Sequence, residues 1–188
     1  MSVETINKFR QMILVEIEEA LRKTDSHSVA ELVRYILNAR KVFCVGVGRV
    51  LLSLQAFTKR LAHLGVNAHI VGEITEPAIT KDDILIVGSG SGESLFPVAI
   101  AQKAKTIGAT VIHIGSNPSS SIACYTDLMV RIPVRTKLSL DDEISSNQPM
   151  TSLFEQALFV LGDIIACVVI EEKGLNLNDL WQFHANLE

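Results

Sequence analysis

The sequence is short of cysteine, of net positive charge and of long apolar runs, and each shortage closes a class of function. The three cysteines, Cys44, Cys124 and Cys167, lie far apart in apolar contexts. An odd, scattered set supplies neither a disulfide framework nor a cysteine-based metal site, so buried reduced thiols are expected. Lys and Arg number 17 against 21 Asp and Glu, a formal net charge of −4. That balance has no general attraction for nucleic acid or an anionic membrane, so neither is expected as a partner and any anion must be held in a local pocket. No stretch approaches 18 consecutive apolar residues, which speaks against a membrane span. The opening MSVETINKFRQ does not read as a signal peptide, and a cytoplasmic location is expected. Internal repeats and flexible linkers are also missing from these residues, and a DNA-binding module ahead of the first helix is not expected. What remains is 188 residues, 48% of them apolar. One domain of that size buries about 70% of its unfolded surface.

Apolar spacing sets the elements. Ile6, Phe9, Met12, Ile13, Ile17 and Leu21 recur at helical intervals over 4–22, and Val29 to Leu37 continue as a second helix after the capping run Asp25-Ser26-His27-Ser28. Short apolar runs at 41–45, 68–71, 84–87, 110–114 and 128–132 read as buried strands. Helical patterns at 52–64, 96–107 and, briefly, 119–124 lie between them. This alternation predicts an α/β fold, a doubly wound five-stranded parallel sheet of flavodoxin-like type with helices on both faces. The domain is expected over 1–188, with N-terminal helices at about 4–38, an α/β core at about 41–173, and a C-terminal helix and tail at 176–188. Residues 136–150 are polar and without period, about 15 residues long, which points to a functional loop. The helix from Thr151 to about Lys173 is apolar nearly all round and is expected to be buried, in part against another subunit.

The stretch ILIVGSGSGESL (84–95) carries the most chemistry. A buried strand ends in Gly88-Ser89-Gly90-Ser91-Gly92-Glu93-Ser94, and a helix follows at once. Glycines let the backbone approach a ligand, and the helix N-terminus offers free N–H groups and partial positive charge. Together with the Ser hydroxyls they suit a phosphate. The loop contains no Lys and is neither GxxxxGK[ST] nor GxGxxG, which disfavours a nucleoside-triphosphate loop and a dinucleotide fingerprint. A second Gly turn, Gly46-Val47-Gly48-Arg49, ends an earlier strand. Ligands of such sheets bind outside the strand carboxyl ends, so both turns are expected to face one crevice.

The stretches GVGR and AFTKRLAHLG within 46–65, GSGSGES (88–94), QPMTSLFEQ (148–156) and HANLE (184–188) resemble sugar isomerase (SIS) domain proteins, most closely the 6-phospho-3-hexuloisomerases of the ribulose monophosphate pathway. The resemblance covers about residues 4–188. It implies a cofactor-free interconversion of 3-hexulose 6-phosphate and fructose 6-phosphate by a homo-oligomer, usually a tetramer, with active sites at subunit boundaries. It matches Ser89, Ser91 and Ser94 to phosphate-binding hydroxyls, with Gly92 in the same loop, and Glu155 to the catalytic base. His184 matches a C-terminal histidine that assists related arabinose-phosphate isomerases. One departure stands out. The family's first loop usually reads GxGRSG, whereas Gly48-Arg49 here is followed by Val50-Leu51, a lost hydroxyl and two bulky apolar groups that could reshape the sugar pocket.

Each candidate has a structural alternative. Glu155 stands near the start of an apolar helix, where a carboxylate can cap as well as catalyse. His63, in the last turn of a helix, can satisfy terminal carbonyls or shuttle protons. Arg49 can hold phosphate, stabilise an enediolate or join a salt bridge. Glu93 is expected to fix its loop. The run Asp141-Asp142-Glu143 has no partnered histidines, so it is expected to be a solvated loop, and no metal is expected. His27, His69 and His113 read as structural. Three functions stay open: a hexulose-phosphate isomerase, an isomerase of another phosphosugar such as an arabinose phosphate, and a phosphosugar sensor without catalysis. The presence of Glu155 favours the enzymes, because a sensor needs no base.

Overall fold

The computed structural model describes residues 2–187. Met1 and Glu188, the ends of the expected domain and of the HANLE motif, lie outside the described residues. Helix α1 (Val3–Arg22) is capped by Ser2, whose hydroxyl accepts from the Thr5 N–H, and α2 (Ser26–Asn38) by Asp25, which accepts from the N–H groups of His27 and Ser28. Then follow β1 (Val42–Val45), α3 (Gly48–His63), β2 (Ala68–Ile70), β3 (Ile84–Gly88), α4 (Leu95–Ile107), β4 (Thr110–Gly115), a 3₁₀ turn (Ser121–Tyr125), β5 (Leu128–Arg131) and α5 (Ser152–Glu172). A second 3₁₀ turn at Leu177–Phe183 stands where a C-terminal helix was expected.

The strands form one all-parallel sheet in the order β2-β1-β3-β4-β5, the doubly wound arrangement that the alternation of elements implied. Consecutive residues serve opposite faces. Val42, Cys44, Ile84, Ile86, Ile112 and Ile114 pack beneath α2, α3 and α5, while Phe43, Val45, Leu85, Val87 and Val111 pack beneath α4 and the first 3₁₀ turn. Both faces are covered, which is why the strand sequences are continuously apolar. The chain leaves β1 toward β2 on one side and returns as β3 on the other, so the order reverses between β1 and β3. The Gly46 and Gly88 turns meet at that switch point. The space there is closely filled: a Cβ on Gly88 would come within 2.8 Å of Leu54 Cδ1 and 3.0 Å of Val50 Cγ1.

Helix α3 begins four residues before the apolar period shows. Its first turn, Gly48 to Leu51, borders the crevice as well as the core, so a one-face spacing does not report it. Helix α5 is long and apolar enough to cross a membrane by length and composition, with mean hydropathy 2.1 over its most apolar window. It is the central helix of its layer and lies against α1, α2 and α3. Its outward positions keep Phe159, Ile164 and Cys167 exposed. The expectation of three buried thiols is corrected accordingly: Cys44 is buried and its thiol pushed up to about 12 by burial, whereas Cys124 and Cys167 are exposed.

The expectation of a solvated acidic run is corrected at Glu143, whereas Asp141 and Asp142 are exposed. Glu143 is a structural hub, not a solvated charge: its carboxylate accepts from Ser116 Oγ (2.7 Å), the Leu140 N–H (2.9 Å), and the Thr136 N–H and hydroxyl (both 3.2 Å). Asp142 takes a bidentate pair from Arg131, at 2.6 and 2.8 Å. These bonds, with a bridge between Val134 and Ile144, fold the loop against the carboxyl ends of β4 and β5.

Candidate active site at the strand switch point

Past Gly88 the chain makes a tight turn whose amides and hydroxyls satisfy one another. Ser89 Oγ accepts from the Gly92 N–H (3.1 Å), and Ser91 Oγ accepts from the Glu93 N–H (3.3 Å). Neither hydroxyl donates to a described group, so both protons are available to a ligand. Ser94 is the N-cap of α4 but makes no capping bond, which leaves its hydroxyl and the first N–H groups of the helix open. Glu93 turns away from the crevice and accepts from the Ser121 N–H (2.8 Å) and hydroxyl (2.5 Å), and these bonds hold it below the usual carboxylate range. It fixes the loop, as expected.

His113 supports the turn from beneath. Its Nε2 lies 2.9 Å from the Ser89 carbonyl, which can only accept, so Nε2 carries the proton. Burial pushes its pKa down and keeps the ring neutral. Gly92 sits at φ +66°, and a Cβ there would fall 2.3 Å from Ser120 Oγ. Its N–H is committed to Ser89, and the residue packs below the loop without lining the cavity.

A cavity of about 630 Å³ opens above the turn, a volume suited to a small phosphorylated metabolite. Gly48, Arg49, Ser89, Ser91, Ser94 and Glu155 all border it. Glu155 is 7% exposed. One of its oxygens accepts from Thr151 Oγ1 (2.9 Å) and the other from Arg49 Nε. The carboxylate therefore takes no backbone N–H of its own helix; it is held by the hydroxyl of the N-cap residue Thr151 on one side and by the Arg49 guanidinium from α3 on the other. Of the two residues that depart from the expected first loop, Val50 borders the cavity and Leu51 packs toward the core.

A hydroxyl-lined loop at a helix N-terminus and a buried carboxylate thus border one cavity. The SIS domain model matches residues 35–162. The chain belongs to the SIS domain family. It is 38% identical to a 3-hexulose-6-phosphate isomerase of Bacillus subtilis, over 94% of this chain and 95% of that one. A 3-hexulose-6-phosphate isomerase of Mycobacterium gastri is also 38% identical, over 92% of this chain and 86% of the relative. A solved structure from Methanococcus jannaschii, described as inferring a molecular function of 3-hexulose-6-phosphate isomerase, superposes with a TM-score of 0.84 at 28% identity, covering 96% of this chain and 99% of the other.

In this SIS domain the two candidate histidines lie away from the cavity. His63 and His184 stack on each other, with ring centroids 5.1 Å apart, and Trp181 packs on His184 at 5.3 Å. Arg49 and His63 stand near opposite ends of α3, about 21 Å apart along its axis at roughly 1.5 Å per residue. The long loop adds residues that the sequence did not single out: Arg135, Lys137, Gln148 and Thr151 border the cavity. Length and lack of period pointed to the loop that carries Lys137, and Gln148 and Thr151 fall within the QPMTSLFEQ stretch, but nothing marked Arg135. A second cavity of about 370 Å³ lies behind the Arg49–Glu155 pair, between Ile17, Leu52 and Phe159. Gln156 borders it, and its Oε1 is buried without a hydrogen-bond partner among the described residues.

Proposed function

We propose that this SIS domain interconverts 3-hexulose 6-phosphate and fructose 6-phosphate without a cofactor. The observation that carries the reading is the placement of the buried Glu155 carboxylate in the same cavity as the Ser89, Ser91 and Ser94 hydroxyls. The phosphate docks on the Ser/Gly turn and the N-terminus of α4, with Arg135 and Lys137 adding positive charge at the wall. The sugar carbons then extend toward Glu155. Starting from fructose 6-phosphate, the carboxylate takes the proton from the third carbon, and an enediolate forms across the second and third carbons. Glu155 returns the proton to the second carbon, while the proton of the third-carbon hydroxyl passes to the second-carbon oxygen. Arg49, its side chain 65% exposed, uses its Nε on Glu155, and its guanidinium has N–H groups left to stabilise the enediolate oxygens. Val50, at the cavity wall, shapes the sugar end of the pocket.

The reading includes assembly as a homo-oligomer, a tetramer by family resemblance, with active sites at subunit boundaries. Leu14 and Val15 on α1, Leu52 on α3, and Phe159 and Ile164 on α5 are exposed apolar groups on the helices around the second cavity, and the unpartnered Gln156 oxygen lies among them. The His63–His184 pair lies away from its own chain's cavity, so in this reading any part it takes in the reaction is at a neighbouring subunit's site. A cytoplasmic location follows from the substrate, whose charged phosphate does not cross a bilayer. The test is turnover by the unmodified protein across a panel of phosphorylated ketoses and aldoses, with mass by sedimentation equilibrium. Activity confined to the 3-hexulose/fructose pair, in an oligomer, is expected. Activity on a different sugar alone, or on none, overturns the reading.

A further inference from the structure

Glu16 on α1 is a buried carboxylate outside the chemistry described above, 8% exposed and without an ion pair among the described residues. All of its donors come from one short stretch of the long loop, 130 residues away in sequence. One oxygen accepts from the Asn147 N–H (2.9 Å) and side-chain amide (3.2 Å), and the other from Ser146 Oγ (2.7 Å) and Gln148 Nε2 (3.0 Å). Burial alone would raise its pKa, but these donors outweigh it and keep the group below the usual carboxylate range. Ser146 Oγ also accepts from the Gln148 N–H at 3.0 Å, so the stretch is tied to itself as well as to α1.

Two of the three tethered residues, Ser146 and Gln148, border the cavity. Three residues beyond Gln148 stands Thr151, whose hydroxyl holds the Glu155 carboxylate. The connection between them is short and constrained. The Ser152 hydroxyl bonds back to the Pro149 carbonyl at 2.8 Å, and Met150 sits at φ +58°, a conformation a non-glycine residue keeps only when its surroundings impose it. A displacement at 146–148 therefore has little slack in which to dissipate before it reaches Thr151.

We infer that Glu16 is a positioning residue for the reaction: by clamping Ser146-Asn147-Gln148 to α1 it sets the loop wall of the cavity and, through Thr151, the orientation of the Glu155 carboxylate. The inference rests on the isomerase reading for its activity arm only. The anion loop at 88–94 is not bonded to Glu16, so the clamp governs the proton-transfer end of the cavity and not the phosphate end.

The test uses the full chain carrying Glu16→Gln, which replaces an acceptor-only carboxylate with an amide whose two N–H groups confront donors. Glu16→Asp, which keeps the charge on a shorter stem, serves as the milder partner should the first variant fail to fold. Three quantities are read: kcat and KM with 3-hexulose 6-phosphate, the Kd of inorganic phosphate, and hydrogen exchange at the Asn147 amide. Expected for Glu16→Gln are a kcat lower by about tenfold or more, a phosphate Kd within about twofold of the unmodified protein, and faster exchange at Asn147, with Glu16→Asp intermediate. Unchanged kcat overturns the inference. So does a parallel fall of kcat, phosphate affinity and thermal midpoint, which would make Glu16 a general stability residue. If the unmodified protein turns over no hexulose phosphate, the isomerase reading fails by itself. Exchange at Asn147 and the phosphate Kd then decide the clamp, and unaltered exchange overturns it.

Discussion

Replacing Glu155 with Gln separates chemistry from architecture at the centre of this site. Glu155 accepts one bond from Thr151 Oγ1 and one from Arg49 Nε. Gln can keep both contacts: its carbonyl oxygen accepts from Arg49, and its amide donates to the Thr151 hydroxyl, which reverses its role at no steric cost. The structural loss is the charge on one ion pair. Because the Arg49 side chain is 65% exposed, solvent screens that pair, and the loss of stability is expected to be about 0–1 kcal/mol. The chemical loss is larger, because the amide has no basic oxygen to take a proton from carbon. General-base catalysis contributes about 10²–10⁴ in rate, or roughly 3–5 kcal/mol of barrier. The assay measures turnover of 3-hexulose 6-phosphate alongside calorimetric binding of fructose 6-phosphate and the urea midpoint. Turnover should fall at least a hundredfold while binding changes by less than about fivefold and the midpoint shifts slightly. Turnover retained within tenfold would refute the assignment of Glu155 as base. Binding lost together with turnover would refute the argument that the carboxylate acts on the reacting carbons and not on the resting ligand.

Three further outcomes follow from the geometry. Ser89→Ala with Ser91→Ala removes two hydroxyl donors worth about 1–3 kcal/mol each to a charged group, so sugar-phosphate affinity by calorimetry should weaken at least roughly tenfold; unchanged affinity would displace the anion from this loop. Gly92→Ala places a methyl 2.3 Å from Ser120 Oγ at a positive φ, so the thermal midpoint should drop by several degrees, and an unchanged midpoint would contradict the packing described. Asp83 has a fully buried side chain whose burial opposes its charge, but Arg40, Thr80 and Lys41 outweigh that and hold its pKa below the usual carboxylate value. A depressed folded-state pKa contributes stability above the unfolded value of about 3.9 and loses it as pH falls toward the folded value. Urea unfolding should therefore show stability declining as pH falls through about 4, with a shallower decline in Asp83→Asn.

Much of the fold was legible because it is written locally. The strands are continuous apolar runs since both faces of the sheet are covered, and the Ser/Gly turn announces itself by composition where β3 ends. The parts that were hard to read are those whose period is masked by function or by burial. The first turn of α3 borders the crevice and gave no one-face spacing. The outward face of α5 carries Phe159, Ile164 and Cys167 beside Asp163, so apolar spacing did not tell Cys167 from a core residue. The acidic run at 141–143 looked like a solvated charge cluster because nothing nearby in sequence reveals that Ser116, Thr136 and Arg131 converge on it.

The sequence by itself determined the strand–turn–helix units, the Ser/Gly composition of the turn after β3 and the QPMTSLFEQ stretch that carries Glu155. These depend on residues within one turn or one strand of each other, where backbone conformation and side-chain period are coupled. Only the tertiary structure decided that Arg49 reaches Glu155, that Glu16 anchors residues 146–148, that Arg135 and Lys137 wall the cavity, and that His63 and His184 stack far from it. Those polar contacts close over a hundred or more residues, or follow from the direction in which a loop folds back, and such directional pairings leave no period in the chain. They exist because the parallel crossovers carry the carboxyl ends of β1, β3 and β4 to one edge of the sheet, where a loop with little apolar content of its own must be held by hydrogen bonds.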